Sequence, residues 1–308
     1  MILVAGATGY LGHEICRRLR AAGRPVRALV RRTSDPATRA ALERAGVDLV
    51  YGDVRDRASL DAACADVGAV VSTVTTTRTR QPGDDIAATD HAGQLALVDA
   101  AGAAGVGRFV YVSYSGGIGG DDPLTVAKRA VERRLAAGRA AYTILRPSYF
   151  MEVWLSPALG FDHENARATI YGAGERPISW ISLQDVAAIA VRVLDDPAAA
   201  GATLELGGPE ALSPREVVRI FEEETGRRFD LQFVPETALA AQRDAATDSL
   251  QQAFAALMLA YAAGDPIPTE PVLRRYAVRL TAVRDYARRA AAAYPAPPAA
   301  AVGRDGAP

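Results

Sequence analysis

The sequence predicts an α/β protein: a doubly wound parallel sheet with a smaller, mostly helical C-terminal lobe. Three observations carry that prediction. The chain opens on an apolar strand over residues 1–5 that runs into Gly6, Gly9 and Gly12, spaced G-x-x-G-x-x-G, and then into a helix-forming stretch. Short apolar runs alternate with amphipathic segments through the first half, as in a parallel sheet buried on both faces. After Pro147 that alternation stops, and helical patterns dominate the rest.

Each element has its own signal. Leu11, Ile15 and Leu19 recur at helical spacing and give the first helix one buried face. Strands are then expected at Val26–Val30, Val47–Tyr51, Ala69–Thr73, Arg108–Val112 and Ala141–Leu145. Helices are expected between them at Pro36–Ala45, Arg57–Cys64, Ile86–Ala104 and Thr125–Ala137. Right-handed crossovers would place a ligand at the carboxyl ends of the strands. Met151–Glu175 is irregular and rich in aromatic residues and glycine. Ser182 and Asp185 form an S-x-x-D cap for a helix reaching Leu194, and Thr203–Leu206 reads as the last strand. Ser213 and Glu216 form a second capping box, with Pro214 at the first helical position. Glu236–Ala263 and Val283–Ala293 read as helical, and the Ala/Pro/Gly tail 295–308 as disordered. The expected organisation is a nucleotide-binding core over 1–150, rejoined by 177–206, with a substrate lobe from 151–176 and 207–294.

Composition narrows the function. The 308 residues carry a net charge of −1, so no basic field holds nucleic acid. The apolar stretch Ala253–Ala263 is too short to span a bilayer. No basic segment and cleavage site precede the first strand, which argues against a signal peptide. Cys16 and Cys64, the only cysteines, fall in expected helices, so a disulfide framework or zinc site is disfavoured and a reducing cytoplasm is expected. His13, His91 and His163 show no metal-ligand spacing, so no metal is expected.

The N-terminal turn points to a dinucleotide. Gly6 lets the chain turn out of the strand, Gly9 lets backbone N–H groups approach a pyrophosphate, and Gly12 lets the helix pack on the sheet. Thr8, Tyr10 and Leu11 complete the cradle, with the helix N-terminus directed at the phosphates. An NAD site places an acid about 20 positions further on, to bind the ribose 2′-hydroxyl. Here Arg31 and Arg32 stand at that position. A guanidinium fork suits the 2′-phosphate of NADP(H); the competing reading is two solvated loop arginines. Asp53 and Val54 are expected to bracket the adenine, although Asp53 could equally cap the next helix. Thr73, Val74 and Thr75 should line the middle of the cofactor.

The sequence resembles the atypical short-chain dehydrogenase/reductases, in their NmrA-like and isoflavone-reductase-like branch. The resemblance covers about residues 1–235. It rests on the glycine turn, Val26–Arg32, Gly52–Val54, Arg108–Ser113, Lys128–Glu132, Thr143–Pro147, Ile181–Val186 and Leu206–Pro209. It implies a Rossmann-type core, a smaller C-terminal substrate lobe and bound NADP(H). The wider superfamily uses a tyrosine four residues before its lysine; here Lys128 is present, but Leu124 occupies the tyrosine position. Thr125 is out of register and a weaker acid.

The resemblance also implies the site. Ser113 ends the fifth strand, where the superfamily polarises the reacting carbonyl, and Lys128 would reach the nicotinamide ribose and relay a proton. Tyr114 and Tyr149 are candidate replacement donors, and Pro147, Ser148, Tyr149 and Phe150 would pass beside the nicotinamide. The competing readings make Ser113 a partner for a strand-end carbonyl and Lys128 an exposed partner of Glu132. Tyr114, Phe150, Trp154, Phe161 and Tyr171 are expected to wall the substrate pocket, while Trp180 reads as core. Such a wall suits a flat apolar quinone, enone or aromatic ketone. The expected function is NADP(H)-dependent reduction of that compound. The rival is a non-catalytic NADP(H)-binding sensor, regulator or assembly factor. Leu250, Phe254, Leu257, Met258 and Tyr261 suggest burial of that helical region, with a homodimer interface as one reading.

Overall fold

The structure is a computed structural model and describes residues 1–77 and 80–293. The first half runs β1 (Ile2–Ala5), α1 (Tyr10–Ala21), β2 (Val26–Val30), α2 (Pro36–Arg44), β3 (Asp48–Tyr51), α3 (Arg57–Cys64) and β4 (Ala69–Ser72). A π-helical turn, Ile86–Gly93, leads into α4 (Gln94–Ala103), followed by β5 (Arg108–Val112), α5 (Pro123–Ala136) and β6 (Ala141–Pro147). Then come α6 (Met151–Trp154), β7 (Phe161–Asp162), β8 (Arg167–Tyr171), α7 (Leu183–Val193) and β9 (Ala202–Leu206). The chain continues through α8 (Pro214–Thr225), β10 (Asp230–Val234), α9 (Glu236–Ala245), α10 (Ser249–Ala263), α11 (Glu270–Arg275) and α12 (Val283–Ala293).

Seven strands form one parallel sheet in the order β3-β2-β1-β4-β5-β6-β9. Val4 of β1 lies level with Ala28 on one side and Val71 on the other. The order reverses on either side of β1, which opens a crevice at the carboxyl ends of β1 and β4. Ile15 and Leu19 of α1 are fully buried against one face, while Leu60, Leu97 and Phe109 fill the other. The doubly wound sheet expected from the alternating pattern is therefore present.

A second sheet, β10-β8-β7, pairs β10 with β8 in parallel and β7 with β8 antiparallel. It belongs to a separate apolar cluster around Trp180, Phe161, Phe221 and Tyr261.

Several expected elements differ in detail. β10 was not anticipated, although Asp230, Leu231, Gln232 and Phe233 alternate polar and apolar; the strand is short and most of its residues are exposed. The helical stretch 236–263 breaks after Ala245, and Asp248 caps α10 by accepting the N–H groups of Leu250 and Gln251. The 86–104 helix begins as a π-helical turn, whose geometry sequence periodicity does not distinguish. Ser182 caps α7, but Asp185 turns away from the expected box and accepts the N–H of Thr281 at 2.7 Å. Glu152 serves that cap instead, accepting from Ser182 Oγ at 2.5 Å and Leu183 N at 2.9 Å. The 295–308 tail lies outside the described residues. Among the described residues, no helix is long and apolar enough to cross a membrane.

Candidate active site

One cleft of about 460 Å³ follows the carboxyl ends of β1, β4, β5 and β6 and continues to α10. That is room for a small-molecule ligand. At its floor the glycine turn is fixed by sterics. Gly6 has φ +84°, and a Cβ there would meet Thr73 Oγ1 at 2.5 Å. A Cβ on Gly12 would lie 2.2 Å from the Gly6 carbonyl oxygen. Gly9 differs: its nearest neighbour would be the Gly6 oxygen at 3.4 Å, so the turn leaves open space on that side. Gly9 also caps α1 with no side-chain acceptor, and Thr8, Tyr10 and Leu11 line the cleft with the three glycines. Backbone donors at a helix start beside an open cradle fit a pyrophosphate.

Where β2 and β3 end, Arg31, Asp53 and Val54 line the cleft. Arg31 Nη1 is 2.6 Å from Asp84 Oδ2, an acid on the segment after β4 that no sequence motif singles out. Asp53 is held below the usual carboxylate range, first by hydrogen bonding from Arg55, against the opposing effect of burial. Arg32 does not line the cleft. Its guanidinium lies 4.7 Å over the Tyr51 ring, where it gains a cation–π contact. Of the two expected guanidinium groups, one therefore faces the site.

Thr73, Val74 and Thr75 line the middle as expected. Gln94 braces them, accepting from Ser72 Oγ at 2.7 Å and donating to the Val74 carbonyl at 2.9 Å.

The far end collects Ser113, Tyr114, Lys128, Pro147, Ser148, Tyr149, Phe150 and Trp154 in one wall. Asp122 caps α5 two residues earlier than expected, and the helix then presents Leu124 and Lys128 to the cleft on successive turns. Lys128 is buried, and its ammonium makes no hydrogen bond among the described residues. Its Nζ sits 5.6 Å from the Tyr114 ring centroid and 5.7 Å from that of Tyr111. Burial pushes the ammonium below the ordinary lysine value, opposed by the Asp90 carboxylate. Glu132 belongs to other partners, Arg129 at 2.6 Å and Arg146 at 2.5 Å. The alternative of an exposed Lys128–Glu132 pair is thereby excluded.

The three hydroxyl candidates are all engaged. Ser113 Oγ accepts from Arg129 at 3.3 Å, and the same guanidinium bonds the carbonyls of Tyr114, Ser115 and Ile118. The Tyr114 hydroxyl bonds Thr125 Oγ1, which in turn donates to Asp122 Oδ2. Tyr149 is buried and donates to the Leu257 carbonyl at 3.1 Å. Burial pushes the phenols of Tyr114 and Tyr149 upward.

Two expected pocket residues lie elsewhere. Phe161 packs edge-on against Phe221 at 4.8 Å, because β7 points it into the second apolar cluster. Tyr171 donates to the Leu159 carbonyl at 3.2 Å and sets its ring against Tyr261. Their places on the wall are taken by Phe254 and Leu257 of α10. Leu250, Met258 and Tyr261, expected to be buried, pack within the second cluster of the same chain.

The NmrA-like family matches residues 1–286. The chain belongs to the NmrA-like family. Among its relatives, the (4-alkanoyl-5-oxo-2,5-dihydrofuran-3-yl)methyl phosphate reductase of Streptomyces griseus subsp. griseus is 35% identical over 234 residues, 75% of this chain and 76% of that one. The NAD(P)H azoreductase of Xenophilus azovorans is 33% identical over 231 residues, 74% of each chain. The fold is also that of the NADPH-dependent quinone oxidoreductase of Escherichia coli, solved with NADPH. The match has a TM-score of 0.76 at 23% identity, covering 94% of this chain and 99% of that one.

Proposed function

We propose that this NmrA-like chain is an NAD(P)H-dependent oxidoreductase that reduces a flat, apolar and uncharged carbonyl compound, a quinone or conjugated enone. The observation that carries the reading is Lys128, a buried side chain whose ammonium makes no hydrogen bond among the described residues and lies in the same cleft as the open glycine cradle. Such a group is costly to keep unless a ligand or a proton transfer uses it. The glycine turn, Thr73–Thr75 and Arg31 would hold the coenzyme, and Lys128 would contact its nicotinamide half.

The bound coenzyme supplies a hydride. Lys128 holds the matching proton at Nζ and delivers it to the substrate oxygen that becomes a hydroxyl, after which water reprotonates the amine. Its lowered pKa makes it a better acid than an exposed lysine. Tyr114 orients rather than donates. Thr125 gives its single hydroxyl proton to Asp122, so the proton between Tyr114 and Thr125 comes from Tyr114, and the phenol oxygen is left as an acceptor. Ser113, tied to Arg129, shapes the wall. Trp154, Phe254 and Leu257 supply the apolar surface that excludes water. Among the described lining residues the only cations are Arg31 and Lys128.

The test is NADPH oxidation across a panel of quinones, aromatic enones and their phosphorylated analogues. Turnover is expected with the neutral compounds. Tight NADPH binding without turnover on any of them would overturn the reductase reading in favour of a coenzyme-binding sensor.

A further inference from the structure

The reaction proposed above leaves unused a charge cluster at the β2–β3 end of the cleft. Arg31 Nη1 lies 2.6 Å from Asp84 Oδ2 and 4.0 Å from Asp53 Oδ2. Arg55 completes the square, with Nη2 2.7 Å from Asp53 Oδ2 and Nη1 3.4 Å from Asp84 Oδ1. Two guanidinium groups and two carboxylates sum to zero. Asp84 is the deepest member: its side chain is 2% exposed, and its Oδ1 is buried without a hydrogen bond. Its Oδ2 also accepts the Gln81 N–H at 2.8 Å, and Gln81 bonds Thr33, so the segment after β4 is strapped onto the end of β2.

A free arginine at the end of β2 would grip a 2′-phosphate. Here the guanidinium that faces the cleft is already neutralised, and Arg32 is turned onto Tyr51. A phosphate dianion entering this corner meets two carboxylates beside Arg31, and displacing Asp84 strips a buried carboxylate of its shortest ion pair, leaving it only Arg55 at 3.4 Å. A ribose 2′-hydroxyl meets no such conflict, because it can donate to either carboxylate. We propose that Asp84 sets the coenzyme preference: by occupying Arg31 it weakens the hold on the 2′-phosphate, so the cleft takes NADH as well as NADPH. The inference rests on the reductase reading only in that a nicotinamide coenzyme binds here.

The experiment is fluorescence titration of the full chain with NADPH and NADH, for the wild type and Asp84→Asn. The asparagine retains an acceptor for Gln81 N–H but removes the charge. Asp84→Asn is expected to tighten NADPH roughly tenfold relative to NADH, the order of effect of removing one competing charge at a close pair. An unchanged NADPH-to-NADH ratio, or a shift toward NADH, overturns the proposal. Should the variant fail to fold, the wild type answers alone through 2′,5′-ADP and 5′-AMP. A gain from the 2′-phosphate below about tenfold supports the clamp, whereas one above about 100-fold, the range of well-formed phosphate contacts, overturns it. Absence of binding by either coenzyme to folded wild type overturns the reductase reading itself, an outcome distinct from an unmoved ratio.

Discussion

At the β2–β3 end of the cleft, Arg31, Arg55, Asp53 and Asp84 neutralise one another, whereas at the β5–β6 end the buried Lys128 ammonium makes no hydrogen bond among the described residues. The first arrangement is stable as it stands and asks a ligand to compete for it. The second is unfavourable as it stands and improves when a ligand or a lost proton relieves it. One cleft thus holds a corner tuned for selection and a corner tuned for chemistry. Between them lies the glycine turn, which contributes no side-chain charge.

The largest effect is expected at that turn. Gly12→Ala forces a Cβ to within 2.2 Å of the Gly6 carbonyl, backbone that cannot swing away. Stability should fall by about 3 kcal/mol, the upper range for overpacking, and coenzyme binding should be lost. Gly9→Ala meets only the Gly6 oxygen at 3.4 Å. It should leave the thermal melt within about 1 kcal/mol of wild type while weakening NADPH at least tenfold, because its Cβ enters the space a phosphate would use. Melts paired with titrations check both. Equal destabilisation by the two substitutions would show that the whole turn is structural and that Gly9 guards no ligand space.

Next comes Lys128→Met. Turnover with a quinone should drop about 100-fold, as expected for removing a positioned general acid. Without coenzyme, the variant should melt no lower than wild type, since it deletes a buried charge whose burial outweighs the attraction of Asp90. The sign with pH follows from the lowered folded-state pKa. Between that value and the ordinary lysine value the unfolded chain binds more protons, so wild-type stability rises with pH. Differential scanning calorimetry from neutral pH upward should therefore show the gap between variant and wild type closing. A gap that widens would place Lys128 among groups stabilised by their surroundings, and the contrast between the two corners would disappear.

These corners were unequally legible in the sequence. Gly6, Gly9 and Gly12 announce the turn because each requirement is local, set by backbone geometry within a few residues. Ser113 and Lys128 are readable through family resemblance, since both lie on the sheet or helix that every such fold supplies. Asp84 was invisible: it lies in a Thr-rich connection with no periodicity, and its meaning depends on a contact with Arg31 across 53 positions. Arg32 misled for a related reason, because adjacent residues leave a strand end in different directions and only one could face the cleft. In the second cluster, aromatic composition could not separate Trp154, which lines the cleft, from Phe161 and Tyr171, which do not. Which ring faces the cleft is settled by how β7, β8 and α10 pack, through contacts between residues far apart in the sequence.

The smallest effect is expected from Phe254→Ala. Phe254 lines the cleft from α10 and is only half-buried, so its truncation removes contact area without opening a sealed core cavity. Its helix stays in place through the Tyr149 hydroxyl, which bonds the Leu257 carbonyl at 3.1 Å one turn further on. A partly exposed aromatic contact is worth about 1 kcal/mol, which corresponds to a KM for the quinone roughly fivefold higher. The NADPH affinity should be unmoved, because Phe254 lines the cleft beside Trp154 and Leu257 and forms no part of the Arg31–Asp84 cluster. Steady-state kinetics with either ligand varied separates the two effects. If the NADPH term moved as much as the quinone term, Phe254 would be packing on the coenzyme, and the apolar wall would belong to the coenzyme half of the cleft.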